Sequence, residues 1–267
     1  MSASRPKALL IGISGPSSSG KTTLSRLLRD IFPNTSILHE DDFYKPDAQI
    51  PLTKTKSGAE IADWDCLDAL DLPALQKALE YIKSNGMLPP DLVSKEDKNS
   101  VGKVEVEGKV VEDLHWRASG WMFQDVPPVV IIDGFLLYSE SMKEIRDLFD
   151  VKIFLRTDFE TAKRRRGDRT GYVTLEGFWE DPPGYVEEVV WPNFVREHGF
   201  LFEGGDVEGL VNEKVVEGLG LEVVPDGARG DMTGCLTWAY GVVNEALEKW
   251  VEGRKEGVAG GENTKQR

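Results

Sequence analysis

The chain has 267 residues, 40% of them apolar, enough for one large domain with an ordinary core or two small ones. Its formal charge is −14, from 46 acidic and 32 basic residues; such a surface repels phosphate backbones and excludes nucleic acid as a general partner. No charged-then-apolar leader opens the chain, and no apolar run reaches the ~20 residues of a membrane span, so a soluble, cytoplasmic protein with no membrane partner is expected.

The first predicted element is an apolar, β-branched strand, Ala8-Leu9-Leu10-Ile11-Gly12-Ile13. It leads into Gly15-Pro16-Ser17-Ser18-Ser19-Gly20-Lys21-Thr22, which satisfies the phosphate-loop pattern G-x-x-x-x-G-K-[ST]. Thr23 follows, and Leu24, Leu27, Leu28 and Ile31 then form one helical stripe. The motif therefore lies between a buried strand and a helix N-terminus. Successive backbone N–H groups there wrap phosphates, with Gly15 and Gly20 permitting the tight curvature. The helix dipole adds partial positive charge at the same spot. Lys21 reaches β- and γ-phosphates, and the Thr22 hydroxyl is a natural Mg²⁺ ligand.

A short strand, 35–39, ends in Glu40-Asp41-Asp42-Phe43-Tyr44-Lys45-Pro46, and a polar loop runs on to Trp64. Asp71 caps a helix that has Pro73 in its first turn, Leu72, Leu75, Leu79 and Ile82 on one face, and Asn85-Gly86 at its end. Cys66 and Cys235 lie far apart without metal-ligand spacing; they read as reduced thiols, with a bridge between them as the alternative. Residues 87–126 are expected to be an insertion, ordered in part. Within it, 104–106 and 109–111 read as a hairpin about Gly108, and Trp116, Trp121 and Phe123 suggest that part of it packs.

The continuously apolar run Pro127-Pro128-Val129-Val130-Ile131-Ile132-Asp133-Gly134 predicts a strand covered on both faces. Further strands are expected at 151–155 and 221–224, a second, acidic surface insertion at 203–220, and a closing helix at 236–251. The polar tail 253–267 is expected to be disordered. Strands alternating with helices predict an α/β fold, a doubly wound parallel sheet flanked by helices, in a single domain over 1–252.

Asp41, Asp42 and Asp133 follow apolar strands, where a parallel sheet with a phosphate loop lines its ligand crevice. Such acids act as Mg²⁺ ligands or as the base that accepts a hydroxyl proton; alternatively they are turn or cap residues. Lys163-Arg164-Arg165-Arg166 and Arg169 form a dense basic cluster. It reads as a lid closing arginines over a transferring phosphate, as a solvated helix face, or as an import signal. Trp64-Asp65 and Tyr172 are by themselves core or cap residues, and His39, His115 and His198 have no ligand spacing.

Together these segments resemble the nicotinamide riboside kinases, relatives of the uridine kinases within the P-loop kinases. The resemblance rests on Ile11–Gly15 and Ser19–Leu24, Asp41–Pro46, and Trp64-Asp65 with Leu67–Leu70. It continues through Ile131–Leu137, Lys163–Arg166, Asp181–Tyr185 and Trp191-Pro192. It implies a P-loop NTPase fold with a short helical lid at about 160–182, and phosphorylation of nicotinamide riboside by Mg²⁺-ATP in NAD salvage. Nicotinic acid riboside is left open as a second substrate, and so is oligomeric state, a monomer being compatible with the sequence.

Carried over, the resemblance makes Asp41 the catalytic base; the loop, strand-end and lid readings add Lys21, Asp133 and Arg169 as catalytic candidates. It implies ATP contacts along Gly15, Pro16, Ser17, Ser18, Ser19, Gly20, Lys21, Thr22 and Thr23, and at Arg165 and Arg169. It puts Asp41, Asp42, Phe43, Tyr44, Trp64, Asp65, Arg166, Tyr172 and Val173 at the substrate, and Mg²⁺ at Thr22 and Asp41. Trp64 stands where a tyrosine is usual, Asp133 where a glutamate is usual, and the lid segment 167–172 is one residue longer. The rivals are a uridine, cytidine or other small-alcohol kinase of the same fold, and a regulatory NTPase acting on a protein partner.

Overall fold

The computed structural model of the chain describes residues 7–94, 104–169, 171–174 and 177–262. The chain runs through β1 (Leu9–Ser14), α1 (Lys21–Ile31), β2 (Thr35–His39), β3 (Leu52–Lys54), β4 (Glu60–Ala62), α2 (Leu72–Asn85), α3 (Gly108–Ala118) and β5 (Val129–Gly134). It continues through α4 (Lys143–Arg146), β6 (Val151–Phe154), α5 (Phe159–Gly167), β7 (Tyr172–Val173), β8 (Phe178–Trp179), α6 (Trp191–His198), α7 (Glu213–Leu219), β9 (Leu221–Val223) and α8 (Met232–Glu262). Five strands form a parallel sheet in the order β2-β5-β1-β6-β9, while β3–β4 and β7–β8 are separate antiparallel pairs.

The two-residue period of a strand explains why both faces of this sheet carry a core. Along β1, Leu9, Ile11 and Ile13 pack with Leu24, Leu28, Leu114, Leu236 and Val243 of α1, α3 and α8. Leu10 faces the other way, with Leu75, Leu79 and Ile82 of α2 and Phe194 of α6. Gly12 shares the Leu10 side because Tyr138 lies against it: the Tyr138 hydroxyl donates to the Gly12 carbonyl at 2.6 Å, and a Cβ there would stand 2.5 Å from that oxygen. The predicted α2 forms as expected, with Asp71 Oδ1 accepting from the Ala74 amide and Gly86 closing the helix at φ 76°. Cys66 and Cys235 are both free and buried.

Three expectations are corrected. Residues 108–118 form a helix rather than a hairpin, because Val110, Val111, Leu114 and Ala118 recur at helical spacing and pack on α1 and α8. Part of this segment packs, as expected: the Trp121 indole donates to Asn244 at 3.0 Å, while Trp116 and Phe123 are 75% and 87% exposed. Segment 203–220 is no surface insertion: Val207 and Val216 enter the core, Phe202 bridges Val211, and the stretch ends as α7 before β9. The closing helix α8 continues to Glu262, past Gly253, where disorder was expected. Residues 263–267 lie outside the described part.

His198 ends α6 fully buried, stacked on Phe154 and Phe194 at 5.7 and 4.8 Å. Burial pulls its pKa down from 6.5 to about 3. In the unfolded chain His198 takes a proton as the pH falls below about 6.5, whereas the folded chain resists protonation down to about 3. Stability therefore falls with pH through that window, by at most about 1.4 kcal/mol per pH unit from this group. Denaturant midpoints at pH 7 and pH 5 should differ less in His198→Leu than in the wild type; an unchanged difference would show that another group carries the pH dependence.

Candidate active site

The loop between β1 and α1 is shaped by backbone that ordinary side chains resist. Gly15 has φ +145°, Ser18 +62° and Gly20 +101°, and a Cβ on Gly15 would lie 2.4 Å from the Leu155 carbonyl oxygen. Lys21 opens α1 and folds back over the loop, donating to the carbonyls of Gly15 at 3.0 Å and Pro16 at 2.9 Å. Burial lowers the Lys21 pKa to about 8, against the opposing pull of Asp41 and Asp133.

Two hollows meet at this loop. The first encloses about 920 Å³, open mouth included, and is lined by Ser17, Ser18, Lys21, Thr22, Asp41, Tyr44, Trp64, Asp65, Asp133, Arg166, Arg169, Tyr172 and Val173, among others. The second lies on the other side, against Ser19, Gly20, Thr23, Arg165 and Met232. Ser18 and Arg169 border both. Arg165 reaches the loop itself, donating to the Ser18 carbonyl at 3.4 Å.

The acidic segment after β2 is a 3₁₀ turn, Glu40–Phe43. Its three-residue period puts Asp41 and Tyr44 on the cleft side, while Glu40 and Phe43 turn inward at 0% and 8% exposure. Phe43, expected at the substrate, packs its side chain in the core with Leu75 and Leu79. Asp42 lines neither hollow. Glu40 ties the turn to the chain beyond β5: its Oε2 accepts the amides of Phe135 at 2.7 Å and Leu136 at 3.1 Å. Burial raises the Glu40 pKa to about 7, although these two amides pull the other way.

Arg166 organises the opposite wall. It projects from α5, whose N-cap Asp158 accepts from the Thr161 amide at 2.8 Å. Its guanidinium forks onto Asp65 at 2.9 and 3.0 Å, onto Asp181 at 2.6 and 3.2 Å, and onto the Ser17 hydroxyl at 2.8 Å. The rings of Tyr172 and Tyr185 lie 5.1 and 5.5 Å from it. Asp65 is held from the other side as well: Asn193 of α6 donates to both Asp63 oxygens and to the Asp65 carbonyl. The basic cluster is therefore part of the cleft and not one uniform solvated face, although Lys163 does pair outward with Glu187 at 2.8 Å.

The expected helical lid is a helix followed by the β7–β8 hairpin, with Tyr172 paired to Trp179 and Val173 to Phe178. Tyr172 and Val173 both line the cleft. Thr174 at the hairpin donates to Asp47 at 3.1 Å, joining the two walls. Trp64 sits among aromatics, 5.3 Å from Tyr44 and 5.7 Å from Trp179 between ring centroids. The sequence did not single out Phe135 and Trp179 as cleft residues, nor Asp181 as the support of Arg166 and Trp179, nor Asn193 as the support of the Asp63–Asp65 turn. Asp181 and Phe135 stood inside the Asp181–Tyr185 and Ile131–Leu137 segments, and Asn193 directly follows Trp191-Pro192; nothing marked Trp179.

A model of the phosphoribulokinase/uridine kinase family matches residues 10–170. The nicotinamide riboside kinase of Schizosaccharomyces pombe is 44% identical over 212 residues, spanning 79% of this chain and 88% of that protein. The Saccharomyces cerevisiae nicotinamide riboside kinase is 36% identical, over 78% and 85% of the two chains. Mouse nicotinamide riboside kinase 2 is 30% identical, over 82% and 94%. With a family model over most of the chain and relatives at this identity across nearly their full length, the chain belongs to the nicotinamide riboside kinases of the phosphoribulokinase/uridine kinase family.

Proposed function

We propose that the protein transfers the γ-phosphoryl group of ATP to the 5′-hydroxyl of nicotinamide riboside, giving nicotinamide mononucleotide and ADP. The observation that carries this is the pair of hollows sharing Ser18 and Arg169 beside Lys21. The Ser19–Thr23 side takes the nucleotide, and the Asp41–Trp64 side takes the acceptor. Transfer then occurs where the two meet. The bond from the γ-phosphorus to the ADP oxygen breaks, a bond to O5′ forms, and Asp41 takes the O5′ proton. Lys21 and Arg169 face the charge that builds on the transferring oxygens.

The donor set suits Mg²⁺: the Thr22 hydroxyl and Asp41 carboxylate are hard oxygens, and the buried Asp133 Oδ2 accepts no hydrogen bond from the described residues. Bound with ATP, the ion would neutralise charge between the β- and γ-phosphates. Among the described residues no cluster of three His, Cys, Asp or Glu forms an all-protein metal cage. That fits an ion held partly by phosphates.

Asp65 and Arg166 would hold the ribose hydroxyls, and the aromatic wall would take the cationic pyridinium ring. A cation over an aromatic face gains roughly 0.5–2 kcal/mol, Trp being the best partner. Trp64→Leu keeps apolar area and removes the π face. It should lower kcat/KM for nicotinamide riboside several-fold to about thirtyfold, and less for neutral uridine. Equal losses on the two substrates would make Trp64 a packing residue and remove the argument from charge.

A further inference from the structure

Strand β2 ends at His39, and the parallel register places His39 directly beside Asp133 of β5. The side chains meet, His39 Nδ1 lying 2.5 Å from Asp133 Oδ1 with exposures of 2% and 4%. A carboxylate oxygen serves as the acceptor in such a pair, with the ring N–H as its donor. The next residue repeats the link, since Glu40 accepts the Phe135 and Leu136 amides across the same two strand ends. Gly134 leaves room for that carboxylate: a Cβ there would stand 2.5 Å from Glu40 Oε2. The ends of β2 and β5 are thus joined twice, beneath the floor of the cleft.

The two joins differ in what they leave over. Asp133 lines the cleft and His39 does not. With Oδ1 engaged, the buried Oδ2 accepts no hydrogen bond from the described residues, and Asp133 is close enough to Lys21 to favour its charge. A carboxylate torsion is broad by itself, so a single short bond to one oxygen decides where the other points.

We propose that His39 is a positioning residue for phosphoryl transfer. It donates to Asp133 Oδ1, holds that carboxylate in one orientation, and leaves Oδ2 for the Lys21 side of the cleft, while touching neither substrate itself. This rests on the reading that transfer takes place beside Lys21.

The test is a double-mutant cycle. His39→Leu keeps volume and removes the donor, His39→Asn keeps an N–H near the Nδ1 position, and each is made with and without Asp133→Ala. kcat, KM for both substrates and the melting temperature are measured. His39→Leu should lower kcat roughly ten- to hundredfold, the range for residues that orient a ligand, with both KM values within about threefold. His39→Asn should recover most of that loss, which a purely structural role does not require. In the Asp133→Ala background, His39→Leu should cost less than about twofold more. A folded His39→Leu enzyme with near-wild-type kcat, or the same loss with and without Asp133, would overturn the proposal. If His39→Leu does not fold, His39→Gln, whose amide sits near Nε2, replaces it, and equal kcat in the Asn and Gln variants is the contrary result. Asp133→Ala with full kcat would overturn the role of His39 and leave the kinase standing; a wild type with no riboside-dependent ADP formation would remove both.

Discussion

Lys21→Ala should lower kcat by about a thousandfold or more, in line with removing a charge that faces the developing transition state. Lys21 is half-buried at the start of α1, and its ammonium is occupied by the Gly15 and Pro16 carbonyls. Those are loop carbonyls, so their loss touches no core packing, and the melting temperature should change little. The charge is what matters. Burial already works against protonation of Lys21, and the carboxylates of Asp41 and Asp133 offset this. In the complex its charge would meet the β- and γ-phosphates and act most strongly on the leaving ADP oxygen. Single-turnover rates beside thermal melts check this. A folded Lys21→Ala enzyme turning over near the wild-type rate would remove the phosphate site from the loop.

Asp41→Asn should cost about 10²- to 10⁴-fold in kcat, the range for a positioned base, with ATP affinity within a few-fold. The substitution keeps shape and hydrogen-bonding capacity and removes the charge that accepts the O5′ proton. The 3₁₀ turn supplies an internal control. Asp42 is the neighbouring residue, equally acidic, yet it lines neither hollow, so Asp42→Asn should leave most of the activity. Greater damage from Asp42→Asn than from Asp41→Asn would reverse the assignment.

Much of the architecture was legible because it depends on local pattern. The phosphate loop carries its own chemistry, β5 is continuously apolar as a doubly covered strand must be, and the stripe of α1 is visible at helical spacing. Gly108 misled because a glycine between two valine pairs resembles a turn; in the structure it is the first residue of α3, where a helix tolerates it. The acidic glycine-rich stretch at 203–220 looked solvated, yet Val207 and Val216 anchor it in the core through contacts that no local pattern displays.

The cleft was legible wherever one segment carries several of its residues, as at the loop, the 3₁₀ turn and α5. It was not legible where the function depends on which segments meet. Asp65 and Arg166 are each visible as charges, but their fork, and its extension to Asp181, arises only when α5 closes over the turn at Asp63–Asp65. His39 carried no ligand spacing and drew no assignment; its partner stands 94 residues away, brought alongside by parallel strand pairing. Trp179 reaches the cleft because β8 pairs with β7, and a two-residue strand leaves no periodic trace.

In the proposed function the acceptor hollow selects a cationic riboside for phosphorylation. ADP formation from Mg²⁺-ATP, measured with nicotinamide riboside, uridine, cytidine, pantothenate or no acceptor, tests it most directly. ADP formation should depend on acceptor, with the highest kcat/KM on nicotinamide riboside and none above background with pantothenate. ADP formed equally without acceptor, or faster with uridine than with nicotinamide riboside, would contradict it.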